Sequence, residues 1–497
     1  MAHRILKGAG VALAALVVVW GVLYLFGLRV LLTGAGMPYL AFMQTASAQA
    51  DAIVQHRAEQ AEMDSGAAPV APEAGAAILD APSTSTEPDD SASVAAVVSP
   101  AESASSWSDF RGPRRDGHYR GGPIKTAWPA SGLTPIWQQP IGGGYASFVI
   151  ANGRAFTIEQ RGEQEVVAAY DVSTGREIWT NRWDAAFVEF MGGNGPRATP
   201  TLHDGHVYAL GASGELRAIE ADTGRVAWRT NVLADSGASN LQWGMSAAPL
   251  VVDDTVIVVP GGEGGRSLVA YDRHTGAMAW SALDDQAAYS SPMLVTLAGI
   301  RQLLVFTATR VLGVTPDRGE VLWDYPWETQ LGVNAGQPML IGENRVFVSS
   351  GYGTGAAVIE ISAAGGQASV SEVWRNTRMK NQFASSVLHE GYIYGLDQSI
   401  LACLDAETGE LQWKGGRYGF GQVILAYGHI IVLTEDGDLG LVRATPTGHE
   451  EIALFPVLNG KTWNHPAMAN GILLVRNLAE MAAFDLRPEF SVGGPDS

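Results

Sequence analysis

From residue 133 onward, apolar and polar positions alternate in short runs, each closed by a turn-forming pair or triplet. Alternation of period two over so few residues marks half-buried strands. One unit shows the scheme: 198–203, 207–210, 216–220 and 225–230 are strand-like, with His203-Asp-Gly-His206 and Ala212-Ser-Gly214 as hairpin turns. A third kind of turn recurs along the chain. In Ala169-Tyr-Asp-Val-Ser-Thr-Gly-Arg-Glu-Ile-Trp179, Asp171 and Thr174 stand where turn amides need acceptors. Gly175 stands where a left-handed residue ends a type I turn with a bulge. Near-copies close on Trp228, Trp280, Trp323 and Trp413, with Asp272, Asp405 and Gly409 in the turn positions, and Trp374 ends a degenerate copy. Each indole offers a large apolar plate for the next copy to pack against. The block therefore reads as a staple between repeats.

Counting the copies decides the architecture. Successive motif tryptophans, from Trp179 to Trp413, lie 49, 52, 43, 51 and 39 residues apart. Four short antiparallel strands at that period predict a β-propeller blade. Units begin near Tyr145, Arg197, Met245, Tyr289, Asn334, Phe383, Phe420 and Trp463, which makes eight. The seventh offers Phe455 in place of the tryptophan, and the fifth has a longer turn around 363–366. The eighth stops after its third strand, 481–486, but 133–139 carries an orphan Trp137. Pairing that segment with the last blade closes the ring and removes its exposed edges. The prediction is an all-β, eight-bladed propeller over 133–486, with a lead-in segment at 107–132 and a tail at 487–497.

The amino-terminal part follows other rules. Residues 9–28 carry no charge, a run long enough to span a bilayer, and Arg4 and Lys7 precede it. A membrane anchor over 1–32 is expected, placing the chain as a single-pass protein of the inner (cytoplasmic) membrane with the propeller on the periplasmic side. A cleaved signal peptide ending near Ala48-Gln-Ala50 is the competing reading. Residues 33–106 are rich in Ala, Ser, Pro and acids; between Asp51 and Glu102 stand ten acids and one base. Such a stretch is expected to be a flexible tether, with a short helix within 51–63.

Charge and cysteine narrow the chemistry. With 32 Lys+Arg against 51 Asp+Glu, the net charge is −19, which disfavours nucleic acid as a partner. The single cysteine, Cys403, excludes an intrachain disulfide, a Cys-x-x-Cys haem attachment and a thiolate zinc cluster.

The Ala-x-Asp-x-x-Thr-Gly-x-x-x-Trp block resembles the tryptophan-docking motif of the pyrroloquinoline-quinone (PQQ) type propeller repeat. That family includes quinoprotein alcohol and glucose dehydrogenases and non-catalytic propellers such as the outer-membrane-protein assembly lipoprotein. The segment Trp107-Ser-Asp-Phe-Arg-Gly-Pro-Arg-Arg-Asp-Gly117 also resembles a bacterial sub-group of these propellers. For the dehydrogenase branch the resemblance implies PQQ and Ca²⁺ in the central funnel, the ion held by a Glu, an Asn and an Asp. No three positions here can be matched to that triad, and the adjacent cysteine pair of many of those enzymes is missing.

In a propeller, the loops leading into the innermost strands converge on one mouth of the channel, and here they are decorated. They supply Glu189, Arg197, Trp243, Asn334, Lys380, Asn381 and Asn464. Such a set suits an anionic or planar ligand, with Arg giving bidentate contacts and Trp a stacking face. It is equally what the polar lining of any wide funnel would contain. Under a quinoprotein reading, Arg197, Trp243, Asn334, Lys380, Asn381 and Asn464 hold cofactor, and Glu189 abstracts a proton from an alcohol. The glycine-rich stretches 192–195 and 261–265 open no helix, so they read as loops, and His203 with His206 as a solvated hairpin. The functional expectation is a binding or assembly module with a protein partner and no resident cofactor; a quinone-dependent oxidoreductase is the alternative.

Overall fold

A computed structural model describes residues 18–488, except 24, 26, 43, 67–105, 130, 190 and 366. Eight antiparallel blades follow one another, each with its first strand innermost. Blade 1 comprises Val149–Ala151, Arg154–Arg161, Gln164–Asp171 and Glu177–Asp184. Blades 2 to 7 occupy 201–231, 250–282, 293–326, 339–376, 387–417 and 422–456. Blade 8 has three strands within 467–485 and takes its fourth from the amino-terminal side, Trp137–Pro140, with Trp137 opposite Ala483 and Gln139 opposite Met481. The expected closure is present.

The apolar side chains of each blade meet those of its neighbour. Phe156, Ile158, Val167 and Ala169 of blade 1, for instance, pack on Val207, Ala209 and Ile219 of blade 2. The core is thus a set of seams around an axis. Motif turns dress the outside of these seams. Asp171 Oδ1 accepts from the amides of Ser173 (3.0 Å) and Thr174 (2.9 Å), and Gly175 takes φ +72°. Asp272 and Asp405 repeat this on His274 and Thr275, and on Glu407 and Thr408. The strand register shifts by one residue at Ala169/Tyr170, as a bulge requires. Each docked tryptophan lies on the turn glycine of the next blade, where a Cβ would sit 2.6–2.7 Å from its ring: Trp137 on Gly175, Trp179 on Gly224, Trp228 on Gly276 and Trp374 on Gly409. Their indole N–H groups donate to Val172, Ala221, Arg273 and Ala406 carbonyls at 2.7–3.0 Å, and Trp413 likewise to Thr445. Trp280 approaches Gly319 in the same manner, with 3.0 Å to the virtual Cβ.

One motif tryptophan departs from the expected staple. Trp323 turns its N–H to Gln302 Oε1 of its own blade (2.6 Å). The reason lies in blade 5, whose outer strands Gly355–Ala364 and Gln367–Asn376 run on where blades 1, 2, 3 and 6 place a Thr-Gly turn. The longer strands carry the turn glycine Gly365 out of the indole's reach, so the indole is satisfied locally.

Three amino-terminal pieces complete the molecule. Strands β1 (Leu28–Leu32) and β2 (Pro38–Phe42) form a hairpin, and helix α1 (Ala46–Gly66) follows. The expected helix within 51–63 is therefore part of a longer one, inside a stretch expected to be a tether. Helix α1 lies over the ring-closing seam, with Ile53 buried against it and Gln49 Nε2 donating to Ile141 O (2.8 Å). The side chains of His56, Arg57 and Gln60 all converge on Gln139 Oε1. Most of the charge-free run 9–28 lies outside the described residues. Its described residues 18–23 and 25 are helical, but the helix does not run on through the end of the stretch: Leu28 begins a strand, and Leu28 and Leu31 are buried on the protein. Among the described residues no helix is long and apolar enough to cross a membrane, which corrects the expected transmembrane anchor and the single-pass inner-membrane placement.

The lead-in segment runs through the channel itself. Trp107 bridges to Ile150 on the inner strand of blade 1, and His118–Tyr119 pairs in parallel with Gln422–Ala426 of blade 7. Between them two buried arginines reach outward to inner-strand carbonyls. Arg111 donates to Ser386 O (2.7 Å), and Arg115 to Pro292 O (2.8 Å) and Thr201 Oγ1 (3.2 Å). Inner strands are short and leave carbonyls unpaired near the axis, so a guanidinium with five donors is an effective filler. Burial pushes Arg111 down to about 10.

Candidate functional site

With the channel filled by the lead-in segment, the convergent loops enclose a funnel of about 600 Å³ above it. Its wall is a ring of equivalent positions, one just ahead of each inner strand: Tyr145, Arg197, Trp243, Tyr289, Val333, Phe383, Phe420 and Trp463. Six of the eight are aromatic. They touch in pairs: Tyr145 stacks on Trp463 at 5.3 Å between ring centres, Phe383 lies 4.5 Å from Trp463, and Trp243 lies 5.7 Å from Tyr289. At the floor Phe110 meets His465 edge-on at 4.8 Å.

Of the residues singled out from sequence, Arg197 and Trp243 line this funnel. Arg197 is committed, donating to Gly195 O (2.6 Å) and Gly193 O (2.8 Å) with its guanidinium 4.8 Å over Phe187. Burial lowers its pKa. Glu189 folds onto its own loop, accepting from the amides of Met191 (2.9 Å) and Gly192. The asparagines stand behind the wall. Asn334 donates to Thr307 O (2.9 Å) and Ala308 O and accepts from Ser350 Oγ, while Asn464 donates to Gly144 O (3.1 Å) and Ala146 O. Asn381 is bonded to Ser386 Oγ at 2.8 Å. Lys380 pairs with buried Asp397 at 2.8 Å, which Lys414 holds from the other side. Funnel position thus does not mean funnel exposure: near the axis, polar side chains are drawn into bonds with their own loop, their own blade or the next blade.

Other groups were not foreseen. Lys461 donates to Met191 O (3.1 Å), lies 4.1 Å over the Trp463 ring, and is pushed down to about 8 by burial. His465 is buried, its Nδ1 has no partner, and burial with Arg111 nearby holds its pKa well below 6.5. Burial likewise pushes Tyr289 up to about 12. Glu435, at the mouth, accepts from the amide of Phe420 and from Trp463 Nε1, both at 3.1 Å. Of the aromatic ring only Trp243 stood out for its chemistry; Tyr145, Tyr289, Phe383, Phe420 and Trp463 were legible as the places where units begin.

The tip of the β1–β2 hairpin also belongs to the site. Leu32 to Gly36 line the mouth. Gly34 N donates to Glu435 Oε1 (2.6 Å), and Gln382 Nε2 donates to Gly34 O (2.9 Å).

A family model described as "Outer membrane protein assembly factor BamB" matches residues 128–415, more than half of the chain. The chain belongs to that family. BamB of Bordetella pertussis is 21% identical over 310 residues, covering 60% of this chain and 72% of that protein. The quinohemoprotein alcohol dehydrogenase ADH-IIG of Pseudomonas putida is 32% identical over 142 residues, which are 27% of this chain but only 19% of the enzyme. Among solved structures, a europium-containing methanol dehydrogenase superposes with a TM-score of 0.59 at 13% identity, covering 77% of this chain and 98% of that one. At that identity the likeness concerns the fold. BamB-type and quinoprotein propellers share this ring, so the loops must decide between them.

Proposed function

We propose that the chain is a binding and assembly module that docks another protein, in keeping with its BamB relative, which is named an assembly factor. The carrying observation is how the funnel's polar groups are used. A calcium-bound quinone calls for carboxylate and amide oxygens aimed into the cavity. Among the described residues lining the funnel none is acidic, and Glu435 at the mouth already accepts from Gly34, Phe420 and Trp463. Glu189 is consumed by its own loop amides, and Asn334 and Asn464 donate to the neighbouring blade. Among the described residues no group of three or more His, Cys, Asp or Glu could hold a metal. These residues do not fit that cofactor with its ion.

The mouth has the character of a docking face. Val188, Leu331, Met37, Leu40 and Phe42 are 60–72% exposed there or on the hairpin beside it, and clustered exposed apolar residues mark interaction sites. On this reading 133–486 is the docking unit, 107–132 its channel filler, and the partner a protein. The test is reconstitution with the quinone and Ca²⁺: dye-linked alcohol oxidation would overturn the proposal. Charge introduced by Leu331→Asp and Val188→Asp is expected to weaken partner binding at least tenfold without lowering the melting temperature.

A further inference from the structure

The hairpin tip sits in the mouth as a ligand would. Thr33 N donates to Met37 O (2.9 Å) and Gly36 N to Thr33 O (2.8 Å), so Thr33 to Gly36 is a closed turn. Its recognition is by backbone: Glu435 takes the Gly34 amide and Gln382 gives to the Gly34 carbonyl. Glu435 is aimed beforehand by Phe420 N and Trp463 Nε1, so little reorganisation accompanies capture. Glycine is demanded by contact, since a Cβ on Gly34 would fall 2.2–2.5 Å from Phe420 side-chain atoms. Below the tip the funnel remains open. Ala35 contributes only a methyl to its wall, and the floor still holds His465 with an unpartnered nitrogen.

We infer that the funnel is a receptor for a glycine-bearing β-turn of a partner protein, and that the chain's own Thr33–Gly36 turn fills it until such a partner arrives. This rests on the binding-module reading and names what is bound. The preferred turn has the backbone of Thr33-Gly34-Ala35-Gly36 with an aromatic side chain in place of Ala35, long enough to enter the aromatic ring below. The tip is suited to leave with β2: every residue of β2 except Ala41 is exposed, and the hairpin's buried apolar side chains, Leu28 and Leu31, lie on β1. Little apolar burial is therefore lost when the tip and β2 withdraw and β1 stays.

The probe is a fluorescent cyclic hexapeptide, Leu-Thr-Gly-Ala-Gly-Met, and its analogue with Phe for Ala. Applied to the full chain, Gly34→Val, which expels the resident tip, is expected to bind the peptide at least tenfold more tightly than the natural chain. The Phe analogue should gain a further several-fold, and adding Glu435→Gln should remove at least tenfold. Hydrogen exchange at the Gly34 amide of the natural chain supplies a reading independent of any variant: excess peptide should accelerate it. A folded Gly34→Val chain that binds no better, or exchange that peptide leaves unchanged, overturns the turn receptor. If partner binding through Leu331 persists in that case, only the turn is lost and the module stands; quinone-dependent oxidation would remove both.

Discussion

Two seams of the same ring solve one problem differently. Between blades 2 and 3, Trp228 lies on Gly276 and donates to Arg273 O (2.7 Å), so its packing and its polar atom are both supplied by the next blade. Between blades 4 and 5, Trp323 is at least as well buried, 4% exposed against 7%, yet its N–H stays at home on Gln302. There the long hairpin of blade 5 reaches back instead. Ile361, Ala368 and Val370 cover the cluster around Trp323, and Arg375 lies 4.6 Å over the Trp327 ring and donates to Tyr325 (2.6 Å). The staple is therefore a pair, a tryptophan and a turn glycine one blade on. Half of the pair cannot be read as the whole.

Substitutions on either seam test this pairing. Trp228→Ala empties a seam and deletes a cross-blade bond; it is expected to cost about 3–5 kcal/mol in denaturant unfolding. A smaller loss, about 1–3 kcal/mol, is expected of Gly276→Val, which places a Cβ against the indole at φ +73°. Gly365→Val, on the blade 5 turn at φ +61° with open space around it, bears the backbone strain alone and should lose less. Equal losses would mean that the glycine matters for its turn and not for the tryptophan. Gln302→Leu, leaving a buried N–H unpaired, should cost about 1–3 kcal/mol while sparing every other seam.

The mildest probe is pH. Glu165 is buried beside the seam of blades 1 and 2, with one oxygen accepting from Ala212 N (2.8 Å), and burial pushes its pKa up to about 7. The unfolded carboxyl releases its proton near 4.5, so the folded chain holds it over a wider range. That contribution is complete below the unfolded value and is lost as pH rises through about 7. Melting temperature should therefore decline between about pH 5 and 8, and Glu165→Gln should flatten the decline. An unaltered slope would show that Glu165 is ionised in the fold.

The repeats were legible because each is written several times over. Asp171, Thr174, Gly175 and Trp179 acquire meaning from their copies, and eight unit starts gave eight blades. Even Trp137, alone in its segment, was placed by the strand missing from blade 8. What has no copy was not readable. Residues 28–66 look like membrane anchor and tether by composition, but the hairpin and α1 are held by particular bonds to Glu435, Gln382 and Gln139 that no pattern announces. Nor does a sequence distinguish an asparagine facing a cavity from one facing the next blade. Asn334 and Asn464 stand in the right loops and point away, because unpaired carbonyls near the axis claim them first.

Closing the ring with its first strand imposes an order on synthesis. Trp137–Pro140 is made early, but its partner Glu480–Asp485 follows only after the other seven blades. At roughly 5–20 residues per second, the intervening chain takes tens of seconds to emerge. Throughout that wait one strand edge of the nascent protein is open to any neighbour. The molecule is therefore at greatest hazard on the ribosome, and a chain shortened by even its last blade would carry that open edge for life.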